Sequence, residues 1–134
     1  MKKKKSIKLI PKNSIDLEEI EKQAEDNKEF LLINCNIKYS KNIIIKSNTE
    51  QIFVKDFDNK KYNLFAMSTF IFKYEGDKQA NKFEAIQISD YYQLSLKEIR
   101  SNITMIFEIN ENAKIKSLNI KDYKEIDIRN YQIS

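Results

Sequence analysis

The sequence predicts an all-β domain, an antiparallel sandwich or barrel of short strands, with one helix near its N-terminus. Three observations carry this. Leu31, Ile33, Cys35, Ile37 and Tyr39 fall on every second position, as do Ile103, Met105, Phe107 and Ile109. Period two is what a strand buried on one side requires, because successive side chains point to opposite faces. Similar short stretches follow one another from Phe30 to the C-terminus with no long helical pattern between them. Finally, the chain holds a single glycine, Gly76, and a single proline, Pro11, so its turns must be made by asparagine and aspartate. Asp58-Asn59, Glu111-Asn112 and Gly76-Asp77 are the expected turn pairs, since Asn, Asp and Gly accept positive φ more readily than other residues.

At 134 residues the chain is one domain, long enough for a core without disulfides or metal. Its N-terminal residues 1–13 read as a basic, partly flexible arm. Residues 1–12 carry +6, residues 13–29 carry −5, and the remainder carries +3. Blocks of like charge are normally solvated, and the arm adds salt-sensitive attraction to phosphates or anionic surfaces. The apolar run after the lysines, Ile7 to Ile10, contains Lys8 and ends at Pro11, too short for a secretory leader. No stretch approaches the ~20 apolar residues of a membrane span. A cytoplasmic location is expected, or an extracellular or envelope location if an upstream signal has been removed.

The folded domain is expected over residues 14–134. A helix is expected over 15–27. Asp16 and Glu19 have capping-box spacing, Ser14 is an alternative cap, and Leu17, Ile20 and Ala24 make one narrow apolar stripe. Acidic residues crowd its first turns, where the helix dipole favours them. Strands are then expected at about 30–39, 42–46, 51–57, 61–65, 69–74, 83–88, 91–96, 102–109, 114–120 and 124–129. Residues 75–82 are the most polar break and read as a mobile loop.

Composition removes several chemistries. Histidine is absent, which excludes Ser-His-Asp and Cys-His catalysis and His-based metal sites. One cysteine, Cys35, can form neither an internal disulfide nor a thiolate zinc site, and its strand position predicts a buried, unreactive thiol. One glycine allows no phosphate loop or dinucleotide fingerprint. No cofactor is expected, and no catalytic constellation is recognisable. Only Arg100 and Arg129 are arginines, whereas readers of nucleic acid favour arginine forks.

Two segments, Ile52-Phe53-Val54-Lys55-Asp56-Phe57-Asp58-Asn59-Lys60-Lys61-Tyr62 and Ser101-Asn102-Ile103-Thr104-Met105-Ile106-Phe107-Glu108-Ile109-Asn110, together with the Phe30–Tyr39 strand, resemble a bacterial immunoglobulin-like domain family of uncharacterised function. Its members are often lipoproteins or secreted proteins, some labelled telomeric repeat-binding factor-like. Asp56 and Tyr62 match the family's hairpin, with Asn59 in place of its glycine. Phe107 and Ile109 match its late strand, with Asn102 and Asn110 in place of glycine and proline. The resemblance covers roughly residues 30–128 and supplies no catalytic residues. It implies an immunoglobulin-like β-sandwich that binds protein or cell envelope.

Candidate binding residues follow from these elements. Tyr91 and Tyr92 place one ring on each strand face, so one belongs to the core and the other to the surface. Lys60 and Lys61 with Tyr62 have the composition of a phosphate-holding, base-stacking turn, read against an ordinary solvated hairpin. Asp56 and Asp58 flank the same turn but lack the further oxygens of a calcium loop. Phe70, Phe72 and Tyr74 alternate as core residues do. The expected function is a non-catalytic protein-binding module, such as a small phage or mobile-element inhibitor of a host protein, or an immunity-type inhibitor. The alternatives are a single-stranded nucleic-acid-binding OB-like barrel, or an envelope-associated structural domain. Nucleic acid would be reached through the basic arm, and exposed sheet edges allow a homodimer by strand pairing.

Overall fold

The computed structural model describes residues 2–96, 102–121, 126–129 and 131. In chain order the strands are β1 (Lys2–Lys4), β2 (Ser6–Leu9), β3 (Ile20–Gln23), β4 (Lys28–Tyr39), β5 (Ile43–Lys46), β6 (Ile52–Asp56), β7 (Lys61–Asn63), β8 (Ala66–Glu75), β9 (Lys78–Gln87), β10 (Tyr91–Leu94), β11 (Ile103–Asn110), β12 (Ile115–Ile120) and β13 (Ile126–Arg129). Among the described residues the named strands pair antiparallel throughout, a lone parallel bridge joins Ile10 to Gln87, and there is no α-helix. Among them no helix is long and apolar enough to cross a membrane.

The twelve residues of β4 organise the fold. Its first two-thirds pair with β11, setting Ile103 opposite Cys35, Met105 opposite Ile33 and Phe107 opposite Leu31. The period-two residues of both strands therefore share one face, and all of them are buried except Tyr39, which is half-buried against the same core. The main sheet runs β1-β4-β11-β8-β9, with β13 on the far end of β4. The smaller sheets β12-β6-β7 and β10-β5 contribute Ile52, Val54, Tyr62, Leu118, Ile43, Ile45, Tyr92 and Leu94 to the same core. A second, smaller core lies on the reverse face of the main sheet. There Phe30, Ala66 and Ile106 meet Ile7 and Leu9 of β2. The sheet is thus buried on both sides near Phe30, which accounts for Ile106, the apolar residue that breaks the alternation of β11.

Each of the ten strands expected from the alternation has a counterpart, from β4 to β13. The helix expected over 15–27 does not form. Leu17 takes a left-handed φ of 56°, and Ile20–Gln23 become β3, hydrogen-bonded to β2 with Ile7 opposite Lys22. The physical reason is a competition for backbone partners. An isolated helix of this length is marginal in water and needs its apolar face buried, yet Ile20 stays 46% exposed. β2 offers a ladder instead, extended by the Ala24 N–H donating to the Lys5 carbonyl at 2.8 Å. The basic arm is correspondingly built into the fold: β1 pairs with Phe30–Leu32 of β4, and Ile7, Leu9 and Ile10 are buried.

The polar stretch 75–82 is also strand rather than loop. β8 and β9 form a hairpin with Glu75 opposite Lys78, closed by Gly76 and Asp77. Gly76 has φ 62°, and the expected asparagines take the same role, Asn59 at 63° and Asn112 at 64°, joined by Asn13, Asn27 and Asn48. Asparagine reaches this region because its short amide satisfies local backbone groups.

Candidate functional site

The β6–β7 hairpin is organised by Asp56. One carboxylate oxygen, Oδ1, accepts from the backbone N–H groups of Asp58 and Lys60, each at 2.9 Å. The other, Oδ2, accepts from the Tyr62 hydroxyl at 3.0 Å. Burial would raise the Asp56 pKa, but the hydrogen bonds from Lys60, Tyr62 and Asp58 outweigh it and hold it below the ordinary value. The Tyr62 hydroxyl is pushed up to about 12, by burial first and by the facing carboxylate second. Asp56 and Tyr62 are therefore the frame of this turn, and both oxygens of Asp56 are engaged by it.

Of the candidate residues here, Tyr62 is only 7% exposed. A buried ring is not a stacking platform for a base. Lys60 lies over that ring at 5.3 Å from its centroid, and Lys61 lies over Phe53 at 5.0 Å while pairing with Glu50 at 3.6 Å. Glu50 also receives Lys121 at 3.1 Å, and this hydrogen bond, with the charges of Lys61 and Lys121, lowers its pKa. The two lysines border an open groove of about 280 Å³ together with Lys28, Asn63 and Glu108. Lys28 pairs with Glu25 at 3.4 Å, so the groove is of mixed charge.

The second candidate pair lies on β10, where strand alternation separates the rings as expected. Tyr92 is 2% exposed, and its hydroxyl donates to the Gln87 carbonyl at 2.6 Å and accepts from the Ser89 N–H at 3.2 Å. Burial pushes it up to about 12. Tyr91 is 54% exposed. β10 pairs with β5 so that Tyr91 faces Lys46 and Gln93 faces Ile44. These four side chains form the outer face of the ribbon, while Ile43, Ile45, Tyr92 and Leu94 form its inner one. Ile44 is 46% exposed, and Leu96 is exposed beyond the ribbon's end. Tyr91 also borders a groove with Lys12, Asn13, Gln87 and Asp90, where Lys12 and Asp90 form an ion pair.

Tyr91 and Lys60-Lys61 line separate grooves that share no residue. Sequence reasoning passed over Ile44. Its signal was the run Ile43-Ile44-Ile45, because three consecutive isoleucines on a strand must leave the middle one on the opposite face. Gln51 was also missed. Its side-chain amide donates to the Ile44 carbonyl at 3.0 Å and accepts from the Lys46 N–H at 2.7 Å, so it covers the outer edge of β5 as a neighbouring strand would. Nothing in a lone glutamine marks that role. Cys35 is buried at the β4–β11 contact, its thiol pushed up to about 12 by burial. No family model, curated protein or solved structure matches the chain.

Proposed function

We propose that the chain is an immunoglobulin-like β-sandwich that acts by binding another protein, with the outer face of the β5–β10 ribbon as its contact surface. One observation carries the reading: Tyr91 and Ile44 are large, exposed and on one face, ringed by the polar Lys46 and Gln93. An aromatic anchor beside an aliphatic one, with a polar rim, is the usual composition of a protein contact. Tyrosine supplies contact area at low entropic cost. The core that the main sheet shares with β12-β6-β7 and β10-β5 supports the sandwich.

The test is capture from source-cell lysate on immobilised protein, with high-salt and nuclease washes in parallel. A protein retained through both washes by the wild type, and lost with Tyr91→Ala but kept with Lys60→Ala, supports the reading. Capture indifferent to Tyr91→Ala refutes it. The groove bordered by Lys28, Lys60 and Lys61 favours a second reading, contact with the backbone of single-stranded nucleic acid. That reading requires capture to disappear with nuclease or modest salt, and to fall with Lys60→Ala.

A further inference from the structure

The β5–β10 ribbon has one edge covered by Gln51 and one whose backbone groups meet no partner among the described residues. On β5, the Lys46 N–H and the Ile44 carbonyl turn away from β10 and are taken by Gln51. Ile44–Gln93 and Lys46–Tyr91 are therefore the pairs without mutual hydrogen bonds, as antiparallel alternation dictates. The Ser47 N–H donating to the Asp90 carbonyl at 3.1 Å, one step along, agrees with this phase. By the same alternation, the N–H and C=O groups of Tyr91 and Gln93 point to the outer edge of β10. Among the described residues none bonds to them there.

The composition of this edge is unusual for the molecule. Among the described residues every other strand carries at least one Asp, Glu, Lys or Arg; β10, Tyr-Tyr-Gln-Leu, carries none. Charges on edge strands are how proteins block unwanted pairing. The one strand without such a guard here is also one with outward-facing backbone groups.

We infer that a second copy of this chain pairs antiparallel along the β10 edge, with the two-fold axis passing between the two Tyr92 backbones. With Tyr92 on the axis, its own N–H and C=O turn inward to β5 and leave the junction to the outward groups of Tyr91 and Gln93. Tyr91 of one copy then faces Gln93 of the other, both with their backbone groups aimed across the junction, and the exchange is reciprocal. No like charges meet within the paired strands. The product is a continuous ribbon β5-β10-β10-β5, whose outer face carries Tyr91 and Ile44 from both copies. This stands apart from the partner reading, because self-association is measured with the purified chain alone.

The experiment is sedimentation equilibrium of the full chain from the micromolar to the millimolar range. The wild type is expected to approach twice its monomer mass, with a dissociation constant insensitive to salt because the paired edges carry no charge. Gln93→Pro removes only an N–H that makes no ladder bond in the monomer, a position where strand proline is tolerated. It is expected to weaken the dimer at least tenfold with an unchanged melting temperature. A second readout needs no variant: the Tyr91 and Gln93 amides of the wild type must exchange with deuterium more slowly in concentrated than in dilute solution. A wild type monomeric throughout, a dimer that survives Gln93→Pro, or amide exchange independent of concentration overturns the inference. If Gln93→Pro fails to fold, the exchange measurement decides.

Discussion

Leu9→Ala separates a docked N-terminus from a solvated basic arm. Leu9 closes β2, has no exposed surface, and packs in the reverse-face core with Phe30, Ala66 and Ile106. Removing most of a fully buried leucine forfeits its transfer energy and leaves a cavity, together about 2–5 kcal/mol. Taking about 3 kcal/mol, and roughly 3–5 °C per kcal/mol for a domain of this size, the melting temperature falls by about 10–15 °C. Lys8, its exposed neighbour, points the other way, and Lys8→Ala is expected to stay within about 0.5 kcal/mol of the wild type. Urea titration followed by circular dichroism reads both variants. The midpoint should shift for Leu9→Ala with an unchanged slope, because the same surface is still exposed on unfolding. A Leu9→Ala variant as stable as Lys8→Ala would show that β2 contributes nothing. The assignment of Ile7 and Leu9 to a core would then be wrong.

Three further outcomes follow from the buried titratable groups. Cys35, buried and with its thiol pushed up to about 12, should resist a thiol reagent in the folded protein and react at once in denaturant; fast native reaction would contradict its burial. Tyr62 and Tyr92 have folded-state values raised from 10.0 to about 12, so the stability they contribute is complete below pH 10 and lost as the pH rises through about 12. Tyrosinate absorbance should show a late component that Tyr62→Phe and Tyr92→Phe each reduce, and its persistence in both variants would refute the assignment. Asp56 is shifted the other way, so its contribution is complete above its ordinary value of 3.8 and lost as the pH falls through the lower folded value. The melting temperature of Asp56→Asn should fall less steeply in acid than that of the wild type; identical slopes would mean that the turn does not depend on the carboxylate.

How much of this architecture was legible depends on where the signal lay. From Phe30 onward most strands announce themselves, because a residue that faces the core and one that faces solvent alternate and burial selects their types; the tip of the β8–β9 hairpin is the exception, exposed on both faces and so read as loop. β3 carries no such signal: Ile20 to Gln23 are all exposed, so nothing in their types distinguishes strand from helix. It is strand because β2 lies beside it, a partner more than ten residues away in sequence. β2 itself was hidden by the lysines around it. Charge reports where side-chain tips sit, and a strand one residue wide between water and core can carry Lys8 outward and Ile7 and Leu9 inward. The candidate site divides in the same way. Tyr91 and Tyr92 were separable because period two alone assigns their faces. Tyr62 was not, because its burial depends on a hydroxyl reaching Asp56 across a turn, and hydrogen bonds of that kind leave no periodicity. The outer face of the ribbon is therefore legible as composition, Tyr91 with Ile44, only after the register of β5 against β10 sets them side by side. Register is the property that a single strand's sequence specifies least, and at this edge it decides which backbone groups are left to meet another strand.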